Sequence, residues 1–584
     1  MKPDSRTMTL MSKKFYSLLL GGTLTMMVVS ALLMSDSIIA GAVIGQDAVA
    51  GITLVMPMYS LAAFFGSVFS LGVPIVYTNE AGRFNKKGAE QAFGFGVLMS
   101  GVLGILLFVS VTLFGEMYLR SNSPSEAVLT EAMGYLSWMR FSMLLIPFQM
   151  LIAEAVYADG DETVSTAANV LQGAGNIAAS IVLSHIMGIR GIGLASFAFN
   201  AVSLILLLTH FLKKSNSLRF NLYFSVSLLR TVAKYSIIDA SSYLFLAAFT
   251  AVMNRFVSSE FGPAYIIVVS GLALSRELQM VFDGIGEAIT PIISVYLGEK
   301  CLKGVSRIYH RAEKTAVIEG VIVTIAMIVS APFVPDLIGI TDPVLAEATV
   351  AGIRISSLGS VFVSLLYLIS SYYLLIEKIG TGLAASALRD ALLPGAAGTA
   401  LGLSFGLNGM FAGLALSPAV SYMLLMIYIA KRHGRNNCPL FLEDIAKDAP
   451  PSELYDLVTE PEDIILTQKK VEQYLTEHGY DRVTIGRAKL LIEELFMLIR
   501  EKNNNKAILS ECFVALEPDG IQIITKDEGI IFDISEDDVT VTSLVSFAVS
   551  AYMEKLGENR RYLTTISFNR SAFLIRTGAA ERGR

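Results

Sequence analysis

Twelve apolar runs, each long enough to cross a bilayer, fill residues 15 to 431, and then the hydrophobicity stops. A hydrocarbon core of about 30 Å takes about 20 apolar residues per helix. The runs fall at roughly 16–43, 49–76, 92–115, 131–157, 165–187, 192–212, 232–257, 264–290, 316–340, 350–376, 382–404 and 409–430. Only 16% of the chain is charged, where a soluble protein carries about 25%, and the deficit is concentrated before Cys438. The pattern predicts an all-α polytopic membrane part with a water-soluble module attached, and any function has to explain both. The net charge of −6 averages these two unlike parts and identifies no partner.

Lys and Arg in short loops set the orientation of such a chain. Lys2, Arg6, Lys13 and Lys14 precede the first run, and Arg83, Lys86 and Lys87 follow the second. Lys213, Lys214 and Arg219 follow the sixth, Lys300, Lys303, Arg307, Arg311 and Lys314 the eighth, and Lys431, Arg432 and Arg435 the last. The opposite loops offer little beyond Arg120 and Arg190. Both termini are therefore expected in the cytoplasm and the helices in the plasma membrane. The first run is too long for a signal peptide. Cys301, Cys438 and Cys512 have no metal spacing, a reducing compartment argues against a disulfide, and the five histidines are scattered. No metal site is expected.

The two halves of the membrane part resemble each other at an offset of about 217 residues. Gly72-Val73-Pro74 ends the second run and Ile289-Thr290-Pro291 the eighth, each leading to a basic loop that closes on Lys87-Gly88 or Lys303-Gly304. Gly188-Ile189-Arg190-Gly191 stands before the sixth run, Gly406-Leu407-Asn408-Gly409 before the twelfth, and Asp159 matches Glu377. Both halves start on the same side and hold six helices, so they are parallel repeats related by an axis along the membrane normal. That is a transporter architecture, in which two bundles rock around a central cavity. The domains predicted are an N-terminal segment (1–14), an N-lobe (15–212), an inter-lobe loop (213–231), a C-lobe (232–431), a linker (432–458) and a soluble domain (459–584).

The stretch Ser35-Asp36-Ser37-Ile38-Ile39-Ala40-Gly41, then Asp47-Ala48-Val49-Ala50-Gly51, Pro57 and the Gly72/Pro74 helix end, resembles the multidrug and toxic compound extrusion (MATE) family. The likeness covers nearly all of residues 10–435. It implies a V-shaped, two-lobe antiporter driven by H⁺ or Na⁺. Related flippases for lipid-linked sugars share the fold, so the substrate class does not follow from it.

A charge at a helix centre costs at least ~2.5–3.5 kcal/mol on insertion scales, so each one marks a candidate site. Asp36 lies deep in the first run, where a carboxylate can bind H⁺ or Na⁺ and exchange it for substrate. The resemblance places an acid here, and adds an Asn followed four residues later by Asp. Asn176 matches that Asn, but Ser180 stands where Asp is expected. Asp36 is left as a lone carboxylate with Asn176, Ser180 and Asn200 as neutral oxygen donors, a set better suited to a proton than to Na⁺. The second half is more charged. Asp239, Asn254 and Arg255 lie in the seventh run, Arg276, Glu277, Asp283 and Glu287 in the eighth, and Arg389 and Asp390 in the eleventh. Residues 276, 283 and 287 share a face of a continuous helix by their spacing. Two readings stand side by side: a wall of the cavity holding a polar or cationic small molecule, or a static network through Arg276–Asp283 and Arg389–Asp390.

After residue 458 the pattern turns α+β. Helices are predicted at 467–478 and 482–502, strands at 507–516 and 520–526, a turn at Asp527-Glu528-Gly529, a helix near 541–556 and strands at 561–569 and 571–576. This order resembles the ATP-binding sandwich of anti-sigma-factor serine kinases, which also occurs in histidine kinases. Ile492-Glu493-Glu494-Leu495-Phe496 is similar to the helix that presents a Glu, here Glu494, and four residues on an Asn that helps hold Mg²⁺. Asp527-Glu528-Gly529 is similar to the adenine loop. Leu498 occupies the Asn position, and no glycine-rich lid precedes residue 541. Without those ligands for Mg²⁺ and phosphate, catalysis is not expected. Nucleotide sensing through Asp527 and Gly529 and docking of a regulatory protein both stay open.

Three functions follow as expectations: secondary antiport exporting amphipathic or cationic compounds under control of the tail, a lipid or lipid-linked-sugar flippase, and a membrane receptor or scaffold signalling through the tail. There is no Walker A motif and no soluble-enzyme constellation. The chain reads as a transporter rather than an enzyme, with no required cofactor beyond a coupling ion. Its expected partners are lipid and a small-molecule substrate, and no nucleic acid.

Overall fold

The apolar runs become helices whose ends are fixed by local chemistry. Ser125 opens one helix by accepting from the Val128 amide, Ser225 another by accepting from Leu228, and Asp342 a third by accepting from Val344. In the computed structural model the described residues are 9–82, 86–123, 125–159, 161–213, 216, 218–447, 449–532, 561–563 and 568–576. The first half comprises α1 (Leu10–Val43), α2 (Gln46–Gly82), α3 (Lys86–Asn122), α4 (Glu126–Ala158), α5 (Glu162–Met187) and α6 (Ile189–Leu208). The second begins with α7 (Val226–Glu260), α8 (Ile266–Glu277), α9 (Asp283–Gly298), α10 (Leu302–Ser330) and the short α11 (Val334–Leu337). It ends with α12 (Pro343–Ser357), α13 (Ser360–Leu375), α14 (Ile379–Ala387) and α15 (Leu393–His433). Among the described residues nine helices are long and apolar enough to cross a membrane, and α12 with α13, bent by 52°, make a tenth. The chain is a multi-pass membrane protein.

The helices run past the apolar runs at many ends, and several runs are not the continuous helices expected, the ninth being divided at Ala331–Phe333 and the eleventh carrying a π turn at Leu388–Leu392. The eighth divides into α8 and α9 around a 3₁₀ turn at Leu278–Phe282. A 3₁₀ turn advances about 120° per residue rather than 100°. Over five residues this turns Asp283 relative to Arg276, so the i, i+7 spacing of a continuous helix does not hold across the break. The tenth run is the bent α12–α13 pair.

The internal repeat is visible in the backbone. Gly188 and Gly406 both take positive φ, 61° and 68°, with strongly negative ψ, a region essentially reserved for glycine. In each case the second glycine of the turn then meets a carbonyl: a β-carbon would lie 2.1 Å from Leu183 O at Gly191 and 2.2 Å from Leu401 O at Gly409. Asp159 and Glu377 diverge, the first with φ −81° and the second with φ 57°.

The described residues form two compact units, 23–283 with 315–428, and 1–22 with 284–314 and 429–584. In the first, α2 packs closely on α4 and α7, and Gly72 lets it approach Val232, whose carbonyl would be 2.5 Å from a β-carbon there. Phe282, Met143, Leu54 and Ile353 are fully buried in its largest apolar cluster.

The second unit holds a short helix α16 (Leu442–Ala446), then β1 (Ser452–Val458), α17 (Pro461–Glu477), α18 (Arg482–Lys502), β2 (Leu509–Glu517), β3 (Gly520–Asp527), β4 (Arg561–Leu563) and β5 (Phe568–Arg576). The strands make one antiparallel sheet in the order β1-β2-β3-β5-β4. The helices α17 and α18 cover one face through Leu475, Ile492 and Phe496 against Val514, Ile523 and Phe573. The segment expected to be linker thus supplies an edge strand, residues 452–458, paired with β2. The helix expected near 541–556, with the segment at the lid position before it, lies outside the described residues.

Candidate functional site

Four helices bring one chain of polar groups to Asp36. Tyr135 of α4 donates to Asp36 Oδ2 at 2.8 Å, and Ser196 of α6 reaches the same oxygen at 3.3 Å. Ser196 also lies 3.4 Å from Asn176 Oδ1 of α5, which accepts from Ser180 at 3.2 Å. A serine has one proton to give, so Ser196 serves either Asp36 or Asn176 at a given moment. Asp36 Oδ1 is buried and accepts no hydrogen bond among the described residues. An unmet carboxylate oxygen inside the membrane is costly unless it holds a proton or faces a cation.

Asn200 sits on a branch of its own. It accepts from Gln172 at 2.6 Å and donates to Ser196 O at 2.9 Å. Gln149 extends the branch to Gln172 at 3.1 Å and to Ser203 at 3.2 Å. Of the residues predicted to couple a cation, Asp36, Asn176 and Ser180 are joined through Ser196, and Asn200 is one amide removed. Tyr135, Ser196, Gln172 and Gln149 were not singled out from the sequence. Polar residues of this kind recur throughout the runs, and only helix packing selects these four.

At the ends of α4 and α6 a second polar cluster forms. Buried His210 lies 2.8 Å from Asp159 and 2.8 Å from Asp161, and Tyr77 donates to Asp159 at 2.7 Å. Lys213 and His210 hydrogen-bond to Asp161 and hold its carboxyl below the usual range.

In the second half, Arg276, Asp283, Arg389 and Asp390 lie within electrostatic reach of Tyr367, and Glu277 within reach of Arg276. Arg389 and Asp390 lie in a π-helical turn, Leu388–Leu392. Both nitrogens of the Arg389 fork reach Asp390, at 2.7 Å each, a third bond goes to Ser242 at 3.2 Å, and the guanidinium sits 3.5 Å over the Tyr367 ring. Asp390 therefore has both oxygens engaged, as a structural pair would. Arg276 makes no ion pair among the described residues and instead lies 4.6 Å over the Phe249 ring. The Glu277 backbone carbonyl accepts from Ser30 at 2.8 Å. Asp283 is half-buried, Asn254 is buried, and Glu287 is exposed. The side chain of Asp239 lies outside the described ones. Asp390→Leu is expected to strand a buried guanidinium, at a cost of about 3–5 kcal/mol, and to lower the yield of monodisperse protein on size-exclusion chromatography. Adding Arg389→Met is expected to restore both yield and activity. Restored yield without activity would instead make the pair part of the transport path.

In the C-terminal domain Asp527 is buried, and its Oδ1 accepts from the Gly529 amide at 2.9 Å and from Asn569 at 3.1 Å. Asn569 also donates to Gly529 O at 2.7 Å, and Asn503 accepts from the Ile530 amide at 3.0 Å. The loop is thus held by Asp527, by Asn503 at the end of α18 and by Asn569 of β5. Glu494 is half-buried on α18, while Glu493 accepts from Gln468 at 2.8 Å.

Residues 23–182 match the MatE family model. No curated protein is a significant match to the chain. Among solved structures, the chain is similar to a multidrug resistance MATE family transporter of the MOP superfamily in its inward-facing conformation. The TM-score is 0.64 and the identity 17%, over 72% of this chain and 96% of that one. It is similar to an outward-facing conformation of such a transporter with a TM-score of 0.60 and 17% identity, over 75% of this chain and 97% of that one. It is also similar to a MATE protein in the straight conformation, with a TM-score of 0.60 and 18% identity, over 75% and 98%. The membrane part has the MATE transporter fold.

Proposed function

We propose that the chain is a secondary antiporter of the plasma membrane, exporting an amphipathic or cationic small molecule in exchange for protons, with its C-terminal domain as a non-catalytic regulator. The observation that carries the reading is the buried, unmet oxygen of Asp36 at the head of a polar chain shared by four helices. A single carboxylate suits a proton, whereas Na⁺ takes several oxygen ligands, and here the Asn176 oxygen already accepts from hydroxyls. The MATE fold, the duplicated Gly188 and Gly406 turns and the distribution of Lys and Arg support it. On this reading there are twelve crossings. The 55 residues from Ile379 to His433 are about 80 Å of helix at 1.5 Å per residue, enough for two, and α1 supplies one more. Both termini are then cytoplasmic.

The test is dye efflux from proteoliposomes carrying the intact chain under an imposed proton gradient. Efflux that follows the gradient and is insensitive to Na⁺ is the expected result. Efflux that follows Na⁺ alone would replace the ion, and none at all would remove the dye-exporting reading. The Arg276 guanidinium, stacked over the Phe249 ring, favours a flippase as the second reading, because a guanidinium is suited to a phosphate. Stoichiometric co-purification of a lipid phosphate would move the assignment there.

A further inference from the structure

Alternation along the strands gives the soluble domain two faces. One carries Val514, Ile523 and Phe573 under α17 and α18. On the other, Phe513, Ile524 and Ala572 are as deeply buried, and three charged residues stand in register across β2, β3 and β5: Glu511, Lys526 and Arg570. The fully buried Lys526 ammonium lies 2.8 Å from Glu511 and 2.6 Å from Glu299, which follows the end of α9. Arg570 reaches the other oxygen of Glu299 at 2.9 Å. Tyr296 of α9 donates to Glu511 at 2.6 Å, and Lys526 sits 4.5 Å over its ring. Towards the sheet edge, Lys303 of α10 pairs with Glu453 of β1 at 2.6 Å, and Arg307 pairs with Asp456. Apart from Lys526–Glu511, which lies within the sheet, each bond joins the sheet to the end of α9, the start of α10 or the turn between them.

Taking charges out of water is costly unless geometry and pairing are good. Burial works against the Lys526 ammonium, but the carboxylates of Glu299 and Glu511 outweigh it and raise its pKa. Two cations and two anions meet here, with Glu299 bonding both cations. A domain hanging from a linker would leave Lys526 and Glu511 on an open sheet. We infer that the second sheet face is a docking surface whose partner is the α9–α10 turn of the same chain, and that this contact restrains α9 and α10 during transport. The restraint rests on the transporter reading above, and the docking does not.

The native cysteines report it. Cys301, in the α9–α10 turn, is fully buried and electrostatically close to Lys526 and Glu511, and burial pushes its thiol up to about 12. Cys512 is buried on the opposite face, under α17 and α18. In membranes holding the full chain with Cys438→Ser, a maleimide should label neither. Glu299→Lys sets three cations together and should raise Cys301 labelling about tenfold, with Cys512 still protected. Arg307→Asp should do the same, and adding Asp456→Arg should restore protection. Dye efflux should then rise about threefold in the undocked variants, as expected when a restraint is lost.

Equal Cys301 labelling in the parent and in both undocking variants would overturn the docking. Labelling of Cys512 as well in Glu299→Lys would mean an unfolded domain, and the Arg307/Asp456 pair then decides. Exposed Cys301 with efflux unchanged or slower would overturn the restraint and leave the docking. A parent that pumps no dye would defeat the transporter reading, while the labelling still decides the docking.

Discussion

Asp36→Asn is expected to abolish proton-driven dye efflux while the protein still inserts, folds and binds substrate. The amide keeps the shape of the carboxylate, and its oxygen can still accept from Tyr135 and Ser196, which now reach Oδ2 at 2.8 and 3.3 Å. What it cannot do is change charge. An NH₂ group takes the place of Oδ1, a buried atom with no hydrogen-bond partner among the described residues. That costs about 1–3 kcal/mol, small enough for the fold to survive. Coupling, by contrast, depends on a group whose charge differs between loaded and empty states, and no second carboxylate shares the chain Asp36–Ser196–Asn176–Ser180. Efflux under a proton gradient should fall at least ~100-fold, a loss of about 2.7 kcal/mol of driving selectivity, while equilibrium dye binding changes little. Tyr135→Phe removes one donor and should give a partial loss. Undiminished gradient-driven efflux in Asp36→Asn would take Asp36 out of the mechanism, and loss of dye binding as well would place it in the substrate site.

What the sequence made legible follows its physical scale. Lipid imposes a length and a composition, so the apolar runs located the helices, nine of which, or ten with the bent pair, are long and apolar enough to cross among the described residues. The repeat was readable because Gly188 and Gly406 occupy backbone regions that other residues avoid, so the same letters recur for the same steric reason. Asp36 stood out because a charge in an apolar run is costly wherever it lies. Its partners did not. Tyr135 is 99 residues away and Ser196 160 residues away, and neither is unusual on its own helix. The break between Glu277 and Asp283 was hidden because Leu278-Gln279-Met280-Val281-Phe282 contains neither Gly nor Pro. Nothing local marks a 3₁₀ turn, and the continuous helix predicted there is broken. Strand β1 was missed because Glu453 and Asp456 interrupt its apolar alternation. Those two residues bind Lys303 and Arg307, so the feature that disguised the strand is the one that docks it.

A disulfide between cysteines placed at 53 and 270 is expected to arrest transport, and a reductant to restore it. Thr53 of α2 and Ser270 of α8 are buried and hydrogen-bonded to each other at 2.7 Å, and they stand 217 residues apart. That separation is the offset of the internal repeat, so each residue touches its own counterpart. Only groups on the axis relating two repeats can do so. The surroundings repeat as well: Thr53 is 3.0 Å from Val49 O and Ser270 3.2 Å from Ile266 O, each four residues back on its own helix. Each hydroxyl has one proton, so when one bonds its own carbonyl the other donates across the axis. The contact joins the N-terminal ends of α2 and α8, which lie at the outer face on the orientation proposed above. Alternating access requires the contact to open once per cycle. Side-chain atoms this close bring β-carbons within reach of a disulfide. In the Cys438→Ser background, Thr53→Cys with Ser270→Cys should form the bond on mild oxidation and lose efflux nearly completely, while each single variant stays active. Thr53→Val should weaken the closed state by about 1 kcal/mol and shift the population outward, read as slower disulfide formation at a neighbouring pair. Full efflux with the bond demonstrably formed would show that α2 and α8 never part at this point, and the rocking axis would have to lie elsewhere.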